Sequence, residues 1–374
     1  MDNGNATLHI VSLGSSFAAG PGIRPVTGPR GAGRSGANYA HILAQSLNVK
    51  LTDLSVSGAT LLNIISEPQS VPFISRTFPP QITHVPEDSD IVTITAGGND
   101  VGYVGGMMLD AWNATIPGRI IGSIIQVLQT CLSVLRWRRK KERPTSTSLT
   151  TEELATRMGE VLDAIHRKAP KARILLVEYL ALLSPGTTRP GRDIPFGQDK
   201  INYHVQRASE LQRAYVLATQ TRGNWCQRVP IHELSEKHAL GSRTPWVTGF
   251  GIGLLLRGIV PLHPNAEGWA SVHVSSMIYA RSIFEQSGFR FRADSARRMN
   301  FHASPIADPS SLRAMPNHEL SKTGNLLRLN STFAPREMLR FSQRTDGKPS
   351  LKILQSLYLL VLGDIAGMIN LMRI

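Results

Sequence analysis

The sequence predicts an α/β protein with a parallel sheet covered by helices on both faces. Short apolar, β-prone runs alternate along the chain with segments of helical periodicity, and that alternation is the signature of strand–helix–strand units. At 374 residues the chain has room for one large domain or two ordinary ones, and its 41% hydrophobic and 18% charged content is that of a globular core, not of a disordered chain. No internal repeat interrupts the alternation.

The elements follow in order. Residues 8–13 read as a strand that breaks abruptly into a small-residue, glycine-bearing loop, "LGSSFAAGPG". Residues 38–47 read as a helix, with Tyr39, Ile42, Leu43 and Leu47 near helical spacing, and 49–54 as a second strand. The β-branched run "IVTITA" over 91–96, after the acidic turn "EDSD", is the third strand. A helix over 152–168 opens on Thr150 or Thr151 as cap, with Glu153 nearby. Residues 174–179 (ILLVEY) are a fourth strand, 203–221 a helix, 228–231 a short fifth strand, and 265–283 a closing helix that Pro264 helps to start.

Two stretches depart from this rhythm. One is an insertion at about 113–150: an apolar helix over 120–135, the dense basic run "RWRRKKER" at 136–143, then a polar linker. The other begins near Arg292, where the chain becomes Ser-, Pro- and Arg-rich with weak periodicity and closes on an apolar run over 351–374. The expected organisation is one domain over 1–292 and a basic, partly disordered extension over 293–374 ending in an apolar helix. That last run is about long enough to span a bilayer, but Asp364 sits inside it, and a central Asp costs about 2.5–3.5 kcal/mol on insertion scales. A docked or loosely associated helix is therefore favoured over an anchor.

Lys and Arg number 41 against 27 Asp and Glu, a net charge of +14. The excess gathers in the two stretches above. Nothing interleaves aromatic with basic residues as a single-strand binding surface does, and no zinc-finger spacing appears, so no nucleic-acid partner is expected. The two basic stretches read as solvated segments outside the core, with peripheral contact with a membrane through 136–143 and the terminal apolar run as the alternative. The two cysteines, Cys131 and Cys226, exclude a disulfide framework. "MDNGNATLHI" has neither a basic n-region nor an apolar h-region, so the expected location is cytoplasmic, and the sequons at Asn5, Asn113 and Asn330 read as chance matches.

Four polar sites lie just past strands or before a helix: Ser16 after the first strand, Gly58 after the second, Asn99 in "GGND" after the third, and His263 in "PLHPN" before the last helix. In open parallel sheets functional residues gather at the carboxyl ends of strands. Each site has a plain structural reading: Gly58 as a turn glycine, Asn99-Asp100 as a helix cap, Ser16 as a cap of its own helix. Together they supply what acyl transfer needs: a nucleophilic hydroxyl, a base active near neutrality, and donors aimed at a developing oxyanion. The N–H groups of Ser16 and Gly58 with the Asn99 amide make a three-donor oxyanion hole, and Ser16 with His263 makes the nucleophile and base.

This ordered set resembles the four blocks of the SGNH (GDSL-type) hydrolase superfamily over roughly residues 8–285. The stretches "LGSSFAAGPG", "TAGGNDVGY" and "HPNAEG" look like a group common among fungal and actinobacterial esterases and lipases. The resemblance implies a three-layer α/β/α sandwich on a flavodoxin-like sheet and a serine hydrolase of carboxylic esters working through an acyl-enzyme. No cofactor and no metal are expected. It also implies two departures. Ser15 stands where relatives commonly carry Asp. The D-x-x-H block has Val260 where its Asp should be, which leaves the carbonyl of Val260 or Pro261, or a distant acid, to orient the imidazole.

Other site chemistries fit poorly. No Gly-Lys-[Ser/Thr] follows the first loop, Gly14, Gly20 and Gly22 do not make G-x-G-x-x-G, and Ala18 breaks G-x-S-x-G. The alternatives are a carbohydrate O-acetyl esterase of the same fold and a non-catalytic binding protein of that fold.

Overall fold

The computed structural model describes residues 8–71, 74–115, 149–251, 254 and 258–286, the last six as helical backbone only. Five strands form one parallel sheet: β1 (His9–Gly14), β2 (Lys50–Asp53), β3 (Ile91–Thr95), β4 (Arg173–Val177) and β5 (Cys226–Val229), in spatial order β2-β1-β3-β4-β5. This is the flavodoxin-like order, and its reversal of direction lies between β1 and β3. Their register pairs Gly14 with Thr95, so the two strands end level with each other. In sheets of this order ligands bind at that switch point, where the connections from the two neighbouring strands leave on opposite sides.

Every residue of β1 and of β3 is buried, because both faces of the sheet are covered. Helices α2 (Tyr39–Leu47) and α8 (Ala266–Gln286) pack on each other and on one face. Helices α3 (Leu61–Ile65), α4 (Tyr103–Ala114), α5 (Thr151–Lys168) and α6 (Gln198–Thr219) cover the other. A four-residue helix, α1 (Ser16–Ala19), follows β1, and α7 (Ile231–Ser235) follows β5. The predicted three-layer α/β/α sandwich is the observed one.

Local chemistry explains most boundaries. Helix α5 opens on a capping box between Thr150 and Glu153, carries Glu152 and Glu153 in its first turn, and ends on His166, Arg167 and Lys168, so both ends suit the helix dipole. Asn38 caps α2 by accepting the His41 N–H. Two elements differ from expectation. The fifth strand is Cys226–Val229, not 228–231, because Pro230 has no N–H to extend the ladder and Ile231 already opens α7. Helix α6 starts at Gln198, not 203, since its first turn is polar and exposed and shows no apolar period. Helix α4 and the short 3₁₀ turn Gln81–His84 were not expected.

The apolar segment 120–135, the basic run 136–143, Cys131 and the extension 293–374 lie outside the described residues. Among the described residues no helix is long and apolar enough to cross a membrane. Cys226 is buried, and burial pushes its thiol up to about 12, which makes it an inert core group.

Candidate active site

The turn after β1 explains why two serines stand side by side. Gly14 has φ +130, and a Cβ there would lie 2.2 Å from the Thr95 carbonyl oxygen, so only glycine lets the two strand ends meet. Ser15 then turns inward. Its N–H donates to Thr95 O at 2.9 Å, and its hydroxyl is 2.7 Å from the Tyr179 hydroxyl. It occupies the N-cap position of α1 without a side-chain capping bond, so neither serine caps the helix through its side chain. Ser16 opens α1. Neither its hydroxyl nor its N–H bonds to another described residue, and α1 ends at once on the left-handed Gly20. Ser15 is thus engaged in the core while the Ser16 hydroxyl remains uncommitted.

Gly58 sits in a tight turn at φ +82, closed by Ala59 N–H donating to Val56 O at 3.1 Å. Its own N–H donates to no described group. The turn is tied to the serine corner because Val56 N–H donates to Gly14 O at 3.0 Å. Asn99 follows β3, and its Nδ2 donates to Ala59 O at 2.9 Å. A primary amide carries two N–H bonds, so one remains for a ligand. Asp100 does not cap its own helix. Its buried carboxylate accepts the Leu61 N–H at 3.0 Å and faces Arg157 at 3.6 Å, which fastens the Asn99 loop to the start of α3. Burial pushes this carboxyl up to about 6.

His263 lies in the loop before α8. Leu262 adopts φ +56, a left-handed conformation costly for a branched residue, and this bend brings the Pro261 carbonyl within 2.8 Å of His263 Nδ1. A carbonyl only accepts, so Nδ1 must carry the proton and Nε2 must present its lone pair. That Nε2 is buried and bonded to no other described residue. Of the two carbonyls considered from sequence, the one used is that of Pro261. Among the described residues no carboxylate bonds the ring. Burial lowers the imidazole to about 4, partly opposed by the Pro261 bond. Backbone bonds to Thr248 hold the loop on both sides of the ring, with Leu262 N–H donating to Thr248 O at 2.8 Å and Thr248 N–H to His263 O at 2.9 Å. Asn265 caps the next turn by accepting the Gly268 N–H at 2.9 Å.

Ser16, Gly58 and Asn99 follow the carboxyl ends of β1, β2 and β3, and His263 reaches this end of the sheet through its ring contact with Phe17, with no hydrogen bond between Ser16 and His263. The ring of Phe17, next to Ser16, lies 5.2 Å from the His263 ring and 4.5 Å from the Tyr179 ring, so one aromatic column joins the serine corner to the histidine loop. Tyr179, Phe17 and Asp100 are supporting residues that sequence reasoning missed. Tyr179 ends the "ILLVEY" run, so its place at a strand's carboxyl end was readable, but its partner was not. Among the described residues no group of three or more His, Cys, Asp or Glu could hold a metal ion.

Comparison with known proteins adds four findings. The family model described as "GDSL-like Lipase/Acylhydrolase family" matches residues 12–270. "Lipase 2" of Streptomyces coelicolor is 28% identical over 281 residues, which cover 70% of this chain and 82% of that protein. The extracellular lipase of Streptomyces rimosus superposes with a TM-score of 0.50 at 18% identity, covering 74% of this chain and 99% of the lipase. Phospholipase A1 of Streptomyces albidoflavus NA297 does so with a TM-score of 0.51 at 18% identity, over 74% and 99% of the two chains. At that identity these two structures speak to the fold alone.

Proposed function

The chain belongs to the GDSL-like lipase/acylhydrolase family and is an esterase/lipase-type hydrolase, and from that premise we propose that Ser16 is its nucleophile, His263 its general base, and Ser16, Gly58 and Asn99 its oxyanion donors. The observation that carries this reading is the tautomer of His263: its Nδ1–H is spent on Pro261 O, so the Nε2 lone pair is available beside the Ser16 corner.

The reaction follows from these groups. Ser16 Oγ attacks the ester carbonyl carbon as its proton passes to His263 Nε2. The carbonyl oxygen becomes an oxyanion and accepts from the N–H of Ser16, the N–H of Gly58 and the free Asn99 N–H; a donor of this kind is worth about 10²–10³ in kcat. Collapse expels the alcohol oxygen, which takes the proton back from the imidazolium. Water then attacks the acyl-Ser16 carbonyl with Nε2 as base, and the carboxylic acid leaves. Pro261 O does the orienting work of a triad carboxylate, though as a neutral dipole it stabilises the imidazolium less.

An acyl-chain ester is the substrate class we favour, because the curated relative is named a lipase. A p-nitrophenyl ester panel from acetate to palmitate, run beside an acetylated oligosaccharide, is expected to show turnover rising with chain length. A fluorophosphonate probe is expected to add its mass to the Ser16 peptide. Absence of both turnover and labelling would favour the non-catalytic binding protein.

Contact with an anionic membrane surface belongs to the same reading, on the charge of 136–143 and the apolar character of 351–374. The full chain should sediment with phosphatidylserine vesicles at low salt, and a chain ending at Gly288 should do so less; equal pelleting retires this part.

A further inference from the structure

We propose that Gln81 is a positioning residue for ester cleavage, setting the place of Ser16 by clamping the backbone of Gly14 on both sides. The proposal rests on Ser16 being the nucleophile. Gln81 lies in the 3₁₀ turn Gln81–His84 and is buried. Its Oε1 accepts the Gly14 N–H at 2.8 Å, and its Nε2 donates to the Gly14 carbonyl at 3.0 Å. Gly14 offers one donor and one acceptor, so this pairing also determines which end of the amide is oxygen.

The need for such a clamp arises from the topology. On one side β1 is held by β3 as far as Gly14. On the other side the β2 ladder stops at the pair Ser12–Asp53, and beyond it only Leu54 N–H to Ser12 O and Val56 N–H to Gly14 O continue the contact. The Gly14 N–H would be left buried without a partner, in a residue with the backbone freedom of glycine at φ +130. Gln81 supplies the missing strand edge with a side-chain amide. It also makes the Gly14 carbonyl a shared acceptor, bonded at once by Gln81 and by Val56, which leads into the Gly58 turn. The 3₁₀ turn that carries Gln81 packs on α3, the helix that follows Gly58. One side chain thus braces the corner that aims the Ser16 hydroxyl and the turn that aims the Gly58 N–H. Gln81 makes no contact with the reacting atoms, so its removal should misplace the nucleophile and leave substrate binding alone, and displacements on the ångström scale cost about 100-fold in such reactions.

The test compares Gln81→Met, which keeps size without hydrogen bonds, with Gln81→Glu. An ionised Glu still accepts from Gly14 N–H but sets a second acceptor against the Gly14 carbonyl; the protonated acid restores both bonds. On p-nitrophenyl butyrate we expect Gln81→Met to lose kcat about 10–100-fold with KM within about twofold. We expect the ratio of Gln81→Glu to wild-type kcat to climb as pH falls from 8 to 5. Rescue by Met, or a Glu ratio independent of pH, overturns the proposal and shows a packing role. If Gln81→Met does not fold by circular dichroism, the Glu ratio decides alone. Ser16→Ala is assayed in parallel: activity there would overturn the assignment of Ser16 itself, whereas an inactive Ser16→Ala beside a fully active Gln81→Met overturns only the role of Gln81.

Discussion

Ser16→Ala should lower kcat by about 10⁴–10⁶-fold while leaving the protein as stable as the parent. The loss is that of an activated nucleophile in an enzyme whose remaining donors still bind the ester and retain a small residual rate. Stability should hold because the Ser16 hydroxyl makes no hydrogen bond with any other described residue, so its removal strands no partner. The neighbouring substitution gives the contrast. Ser15→Ala removes a buried hydroxyl that pairs with Tyr179 at 2.7 Å, and it should cost about 1–3 kcal/mol of stability with activity retained within about tenfold. Steady-state kinetics and thermal melts of the two variants check the assignment. The reverse pattern, with Ser15→Ala inactive and Ser16→Ala active, would exchange the two roles.

His263→Ala should cost about 10⁴-fold in kcat/KM, the scale seen when a general base is removed or its tautomer spoiled. The pH profile adds a sign. Burial holds the His263 imidazole near 4, well under its ordinary 6.5, so the neutral base persists into acid. The acid limb of kcat/KM should therefore fall clearly below pH 6.5, nearer to 4, and a limb centred at 6.5 or above would contradict the buried, carbonyl-paired ring. Stability moves in the same direction. The unfolded chain takes up its proton near 6.5 and the folded ring resists until about 4, so this contribution is complete above 6.5 and is lost as pH falls towards 4. Burial also depresses His232 and His273 to about 4 and lowers His9, His41 and His204, so the stability decline is shared with other described histidines. The kcat/KM limb is the readout specific to His263.

Pro261 makes that assignment intelligible. With a carbonyl in place of a carboxylate, the ring gains orientation but no counter-charge, and among the described residues nothing else offsets the burial that lowers its proton affinity. The departure at Val260 is therefore a change in how the imidazole is tuned, and the ring keeps a defined tautomer with no carboxylate partner among the described residues.

Most of the sheet was legible because its signals are local. The β-branched run of β3 and the capping box of α5 are written within a few residues of the elements they define. The elements that escaped were those without such a signal: α6 begins in an exposed polar turn, and the 3₁₀ turn at Gln81 is four residues long. The same division runs through the site. Ser16, Gly58, Asn99 and His263 could be proposed from the sequence since each sits where a strand or loop meets a helix, and their order along the chain is itself information. Their supports were not. Tyr179 reaches Ser15 across 164 residues and Gln81 reaches Gly14 across 67, and no spacing rule connects such pairs.

The sequence by itself determined the alternating α/β architecture, the residues proposed here as nucleophile, base and oxyanion donors, and the absence of an acid at position 260. Only the tertiary structure decided that Ser15 faces the core while Ser16 stays uncommitted, that Pro261 orients the histidine, and that Gln81 completes the edge of β1. Residue types and their periodicity are properties of neighbours in the chain. The choice of a hydrogen-bond partner depends on which strand ends lie side by side, and that follows from the order β2-β1-β3-β4-β5 once the core has closed around it.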